Sequence, residues 1–192
     1  MKNFKRALLI LVVVLMALPA CKKGKDDPGI SLRSRKARLS GEWKLTAGTT
    51  TSTGGSSTTT DVYNGSTCTE TQGTNSVTFA YTEKITFDKK GTFEYDLVSG
   101  TDIMTVKGSW FFGGKAKDLD LKKKESVVLM ITSEVETSGG TTTTETLTGS
   151  DIQSVTWNID ELKNKEMIVI YDGTYTSLSS SDSDTGTMTY QQ

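Results

Sequence analysis

Val77-Thr78-Phe79-Ala80-Tyr81-Thr82-Glu83-Lys84-Ile85-Thr86-Phe87 runs into Asp88-Lys89-Lys90-Gly91 and returns as Thr92-Phe93-Glu94-Tyr95-Asp96-Leu97. On the way out, Val77, Phe79, Tyr81, Ile85 and Phe87 alternate with Thr78, Ala80, Thr82, Lys84 and Thr86. A repeat of two marks a strand with one face buried and the other in water. Gly91 supplies the positive φ that a tight turn after Asp88 needs. The return strand sets Phe93, Tyr95 and Leu97 against Thr92, Glu94 and Asp96. Ser99-Gly100-Thr101-Asp102 turns the chain again, after which Met104, Val106, Gly108, Trp110 and Phe112 alternate with Thr105, Lys107 and Ser109. Three strands joined by short turns form a meander.

The same reading extends in both directions. Upstream, Gly41 to Ala47 is a strand with Trp43, Leu45 and Ala47 on one face. It leads into a Thr/Ser/Gly tract, Gly48 to Thr60, in which β-branched threonine favours strand and Gly54-Gly55 marks a hairpin turn. Val62 and Tyr63 are expected to return into the core. Downstream, Val127 to Thr137, Gly139-Gly140 and Thr141 to Thr148 repeat the pattern, with Val127, Leu129 and Ile131 facing inward. Lys115 to Glu125 is a charged connection. Val155, Trp157 and Ile159 form another inward set, Asp160 to Asn164 reads as one helical turn or a polar loop, and Glu166 to Tyr171 and Gly186 to Tyr190 are further strands. The only prolines are Pro19 and Pro28, so nothing later interrupts a ladder.

Eight to ten antiparallel strands must hide their edges, and closing the sheet on itself removes edges altogether. The expected fold is all-β, a meander curled into a barrel; a sandwich of two sheets would show the same alternation. A barrel of about eight strands either fills with side chains or holds one small ligand. The candidates for that core or ligand lining are Trp43, Phe79, Tyr81, Phe87, Phe93, Tyr95, Trp110, Phe112, Trp157 and Tyr171.

The N-terminus fixes the compartment. Lys2, Lys5 and Arg6 precede an apolar run from Ala7 to Leu18, and Leu18-Pro19-Ala20-Cys21 follows. A basic start, a short apolar segment and a small-residue cleavage site make a secretory signal over residues 1–20. The cysteine behind it resembles the lipobox of bacterial lipoproteins, which implies acyl chains on Cys21 and attachment to a membrane of the cell envelope. Residues 21–38 are charged, carry Pro28 and Gly29 and lack apolar periodicity, and so read as a flexible tether beside anionic head groups. Lys25-Asp26-Asp27 loosely resembles a surface-export signal, which leaves the periplasmic and the outer face of the outer membrane both open. Residues 39–192, roughly 150 in number, suffice for one domain with its own core.

Composition removes several function classes. The histidine count is zero, so Ser-His-Asp and Cys-His catalysis and histidine metal sites are excluded. A net charge of −1 offers no field for nucleic acid. There are two cysteines; with Cys21 lipidated, Cys68 has no disulfide partner and is expected to be a buried small apolar residue. The carboxylates Glu83, Glu94, Asp96, Asp102, Asp118 and Asp120 read as solvated strand-face charges, and Asp182-Ser183-Asp184 as a polar tail that lacks the glycine and glutamate of a calcium loop. No catalytic residue, cofactor or metal is expected.

Leu39-Ser40-Gly41-Glu42-Trp43-Lys44-Leu45 resembles the Gly-x-Trp opening of lipocalins, whose tryptophan plugs the closed end of the barrel. Phe87-Asp88-Lys89-Lys90-Gly91-Thr92-Phe93, Gly108-Ser109-Trp110, Trp157-Asn158-Ile159, Leu162 and Lys165-Glu166-Met167 come in an order similar to the lipid-anchored lipocalin-like domains of Bacteroidota. The resemblance implies a fold and a compartment more than a task. Two readings of function are open: a barrel whose cup binds a small apolar or amphipathic ligand, with hydroxyl-bearing hairpins at its rim, or a filled barrel that contacts another envelope protein by strand addition.

Overall fold

The computed structural model describes residues 34–54, 57–113, 125–176 and 181–192. The leader, Cys21 and the tether up to residue 33, with Asp118 and Asp120, lie outside the described residues. A short helix, α1 (Arg35–Leu39), is followed by eleven strands: β1 (Gly41–Gly54), β2 (Ser57–Tyr63), β3 (Thr67–Gln72), β4 (Asn75–Phe87), β5 (Thr92–Ser99), β6 (Asp102–Phe112), β7 (Glu125–Ser138), β8 (Thr141–Thr146), β9 (Gln153–Leu162), β10 (Glu166–Thr176) and β11 (Ser181–Gln191). All pairings are antiparallel.

The sheet closes. β1 pairs with β11, β6 with β7, and every strand except β8 belongs to a ring of ten, so the fold is a lipocalin-like barrel and not a sandwich. The ring differs at its two ends. At the narrow end Gly41 to Lys44 of β1 pair directly with Phe87 to Lys84 of β4, and eight strands complete the circle. Beyond that point β1 turns to β2, and β2 and β3 wedge between β1 and β4. Both threonine-rich hairpins are ordered strands: Gly54 stands opposite Ser57, and Gly139 and Gly140 both take positive φ in the two-residue turn between β7 and β8.

Helix α1 seals the narrow end. Ser34 caps it by accepting from the Ala37 N–H, and Leu39 is fully buried. Buried Arg38 donates through Nη1 to the Leu162 carbonyl at 2.7 Å. Residues 35–38 therefore belong to the folded domain and not to a flexible tether; a five-residue helix gives no periodic signal, but its buried face has a barrel end to cover. Trp43 is buried beneath it and donates Nε1–H to the Leu39 carbonyl at 2.7 Å, the plug that the Gly-x-Trp resemblance implied.

The core fills the lower barrel with Trp43, Leu45, Ile85, Phe87, Trp110, Val127, Ile159, Leu162, Met167, Val169, Met188 and Tyr190. Trp110 meets Phe87 edge-on with centroids 5.4 Å apart and donates Nε1–H to the Asp88 carbonyl at 3.0 Å. Phe112 crosses Trp110 at 5.5 Å and is half-buried. Such T-shaped pairs place a positive ring edge on a negative ring face.

Several expected inward residues sit elsewhere, and bulges or the rim explain them. An extra residue at Thr46 shifts the β1–β11 register, so Ala47 turns outward and Gly48, opposite Tyr63 and Met188, takes the inner face. Val62 is 49% exposed and Val77 63% exposed; the one lies on the outer face beside half-buried Tyr63, the other near the start of β4, opposite Glu70 of β3. Residues 160–162 are not a helical turn. β9 runs through them with a bulge at Asp160, burying Glu161 and Leu162 before a tight turn at Asn164-Lys165. The last strand begins at Ser181, earlier than the apolar pattern suggested.

Candidate functional site

Above the filled floor the inner faces of β5, β6, β7 and β9 diverge. Phe93 and Tyr95, Met104 and Val106, Leu129 and Ile131, and Val155 and Trp157 enclose a cavity of about 250 Å³. Val155 is 41% exposed, so the cavity meets solvent on that side. The chain folds this way because each strand contributes two residues at i, i+2, the spacing that puts both on one face. β9 also parts from β10 here: their pairing ends at Asn158 and Ile170, leaving the inner wall open above it.

Of the residues expected to line a core or ligand site, Phe93, Tyr95 and Trp157 line this cavity. Trp43, Phe87 and Trp110 belong to the floor. Tyr81 is half-buried against the core, Phe79 is half-buried opposite Cys68, and Phe112 lies against Trp110. Tyr171 stands opposite Gly186 in the β10–β11 ladder; its side chain lies outside the described residues. Cys68 is buried, and burial followed by the nearby Asp61 pushes its thiol up, as befits an unreactive apolar group.

The centre of the site is a residue expected in solvent. Glu83 is only 4% exposed. Tyr81 donates its hydroxyl to Oε2 at 3.0 Å, Tyr190 donates to Oε1, and the Tyr95 hydroxyl is a third partner. Burial holds the carboxyl above the ordinary glutamate range, and the three hydroxyls pull partly the other way because they stabilise the anion. Among the described residues no lysine or arginine forms an ion pair with it. Two of the cavity walls reach this group: the Tyr95 ring directly, and Trp157 through the face of Tyr190, stacked at 5.4 Å and 27°. Tyr63 packs on Tyr81 at 4.7 Å, and burial raises its hydroxyl pKa.

Sequence reasoning placed Glu83 in solvent and gave Tyr190 no role in a site, though the signal was present. Glu83 occupies the inward parity of β4, two residues from both Tyr81 and Ile85, and Tyr190 follows Met188 at strand spacing. A charge in an apolar series is a candidate for a buried, hydrogen-bonded group.

The mouth of the cavity is acidic. An extra residue at Thr132 breaks the β6–β7 register, and beyond it β7 exchanges β9 for β8 as its second neighbour. Glu134 then stands opposite Val106 on one side and Glu145 on the other, while Glu136 stands opposite Met104. Cross-strand partners share a face, so these three carboxylates continue the inner surface on which Met104 and Val106 line the cavity.

The remaining carboxylates do structural work. On the outer wall Lys84 bridges Glu42 and Asp96, and Lys107 pairs with Glu94 at 2.8 Å. Asp102 accepts from the Ser138 hydroxyl at 2.7 Å. Asp184 lies in the extended strand β11 and, with Glu70, helps to raise the pKa of Asp61, chiefly lifted by burial. Charged pairs across β1, β4, β5 and β6 are the reverse of the apolar outer band of a membrane-spanning barrel. At the narrow end Lys163 joins Glu161 and Glu166; burial raises the pKa of Glu161, and the lysine lowers that of Glu166.

The fold and cavity thus define a closed antiparallel barrel with a sealed floor and a half-open aromatic cup. Comparison of the chain with protein-family models, with curated proteins and with solved structures found no match.

Proposed function

We propose that this protein is a lipid-anchored module of the cell envelope that binds a small, predominantly apolar molecule in its cup and catalyses no reaction on it. The observation that carries the reading is the 250 Å³ cavity with Phe93, Tyr95 and Trp157 in its wall. A dry cavity of about 150 Å³ holds benzene, so this one suits a body of about ten non-hydrogen atoms. Trp157 makes the site self-reporting: a titration with small alkylbenzenes should change tryptophan emission saturably. Ile131→Phe, which fills the space from β7, should abolish that change while the barrel stays folded. Unaltered emission together with no heat of binding would overturn the reading.

The envelope location rests on the signal and Cys21. Cys21→Ser should leave unprocessed precursor that no longer partitions with detergent; normal processing would refute the anchor.

One observation favours the interaction reading as well. Among the described residues β8 pairs only with β7, so the outer edge of Thr141–Thr146 is unpaired. An envelope protein could add a strand there, since an exposed edge is a template for pairing. Crosslinking in intact cells from a probe at Thr143 should then recover one stoichiometric partner; recovery of none rejects this second reading.

A further inference from the structure

We infer that the cup selects cationic ligands: a small apolar body bearing one protonated amine. This rests on the ligand-binding reading above and names the chemistry of the ligand. An apolar cavity alone rejects an ammonium, because taking the charge out of water is costly without compensation. Here the compensation comes from two directions. Glu134, Glu136 and Glu145 lie on the same face as the lining residues Met104 and Val106, at the mouth. The wall carries three aromatic residues, Phe93, Tyr95 and Trp157, and aromatic rings attract a cation through their quadrupoles. Behind Tyr95 the buried Glu83 is held by tyrosine hydroxyls, so that side of the wall presents no basic side chain to repel a cation.

The carboxylates at the mouth are otherwise hard to explain. Glu134 faces Glu145 directly across β7 and β8, an arrangement that destabilises a sheet when nothing lies between the charges. No residue lining the cavity is basic, and the outward-facing Lys107 is paired with Glu94. The resulting negative potential attracts an amine along its approach and repels a carboxylate. Aliphatic walls with only exposed charge would have favoured a neutral hydrocarbon.

The test is calorimetric titration of the full chain at neutral pH with phenethylamine, its neutral isostere propylbenzene, and phenylacetate. Phenethylamine is expected to bind about tenfold tighter than propylbenzene, with phenylacetate weakest. The combined substitution Glu134→Gln, Glu136→Gln and Glu145→Gln, all at positions that are not buried, should bring the amine and the hydrocarbon to near parity with the barrel intact. Equal or tighter binding of propylbenzene overturns the inference and leaves the apolar-ligand reading standing, as does an amine preference that survives loss of the three carboxylates. If phenylacetate binds best, the inference fails on sign. Binding of none of the three removes both readings.

Discussion

Tyr190 of β11 donates its hydroxyl to the carboxyl group of Glu83 on β4, 107 positions earlier in the chain. The two strands do not pair with each other but each pairs with β1, so the bond passes over β1 on the inside of the barrel. It ties together the two strands that flank β1, and with the hydroxyls of Tyr81 and Tyr95 it completes the cluster around the buried acid.

Glu83 should make stability depend on pH. Burial raises its folded pKa above the ordinary value of 4.5, against the opposing pull of the Tyr81, Tyr95 and Tyr190 hydroxyls, with Tyr63 the further titratable group beside the cluster. Between the unfolded and folded values the native state holds a proton that the unfolded chain has released. The stabilisation is therefore full below about pH 4.5 and is lost as pH rises through the folded value. Glu83→Gln should flatten this decline in urea denaturation series from pH 4 to 8. The difference in slope between the two proteins should approach, at most, about 1.4 kcal/mol per pH unit. Parallel profiles would show that the carboxyl titrates normally.

Trp43→Ala should cost about 3–5 kcal/mol, because it empties a fully buried site and removes the bond to the Leu39 carbonyl. Chemical denaturation measures it. A loss under about 1 kcal/mol is inconsistent with a plug.

Arg38→Met should weaken the seal by about 1.5–3 kcal/mol, the scale of a hydrogen bond to a charged donor, while preserving the buried aliphatic stem. The measurement that separates this from a general effect is hydrogen exchange: protection should fall first at Leu39 to Trp43 and at the β9–β10 turn. Uniform loss across the barrel would place the role of Arg38 elsewhere.

Gly108→Ala should destabilise by about 1–3 kcal/mol and weaken ligand binding together. At the β6–β7 bulge an added methyl would strike the Met130 carbonyl and come within 2.9 Å of the Phe93 ring, which lines the cavity. Thermal unfolding and the fluorescence titration report the two effects. Gly100→Ala, where the methyl meets nothing within 4 Å but φ is positive, should lower stability without altering binding.

Much of the fold was legible because strand periodicity is a property of neighbouring residues. Phe87, Phe93, Trp110 and Trp157 announced their inward faces, and Gly139-Gly140 announced its turn. The failures cluster where one extra residue resets the count. Bulges at Thr46, Thr132 and Asp160 reverse the parity of the residues beyond them, and nothing in the local composition marks them. The site was legible only in part. Phe93, Tyr95 and Trp157 were named from alternation, but the position of Glu83 within the same alternation was discounted because the residue is charged. Residues 35–38 were read as tether because a single helical turn has no period to detect.

Because β2 and β3 join the ring only above Lys44, the tryptophan-capped base and the girth of the upper rim are written in separate stretches of chain. Substitutions in β2 and β3 would therefore alter the rim while leaving the Trp43 base untouched.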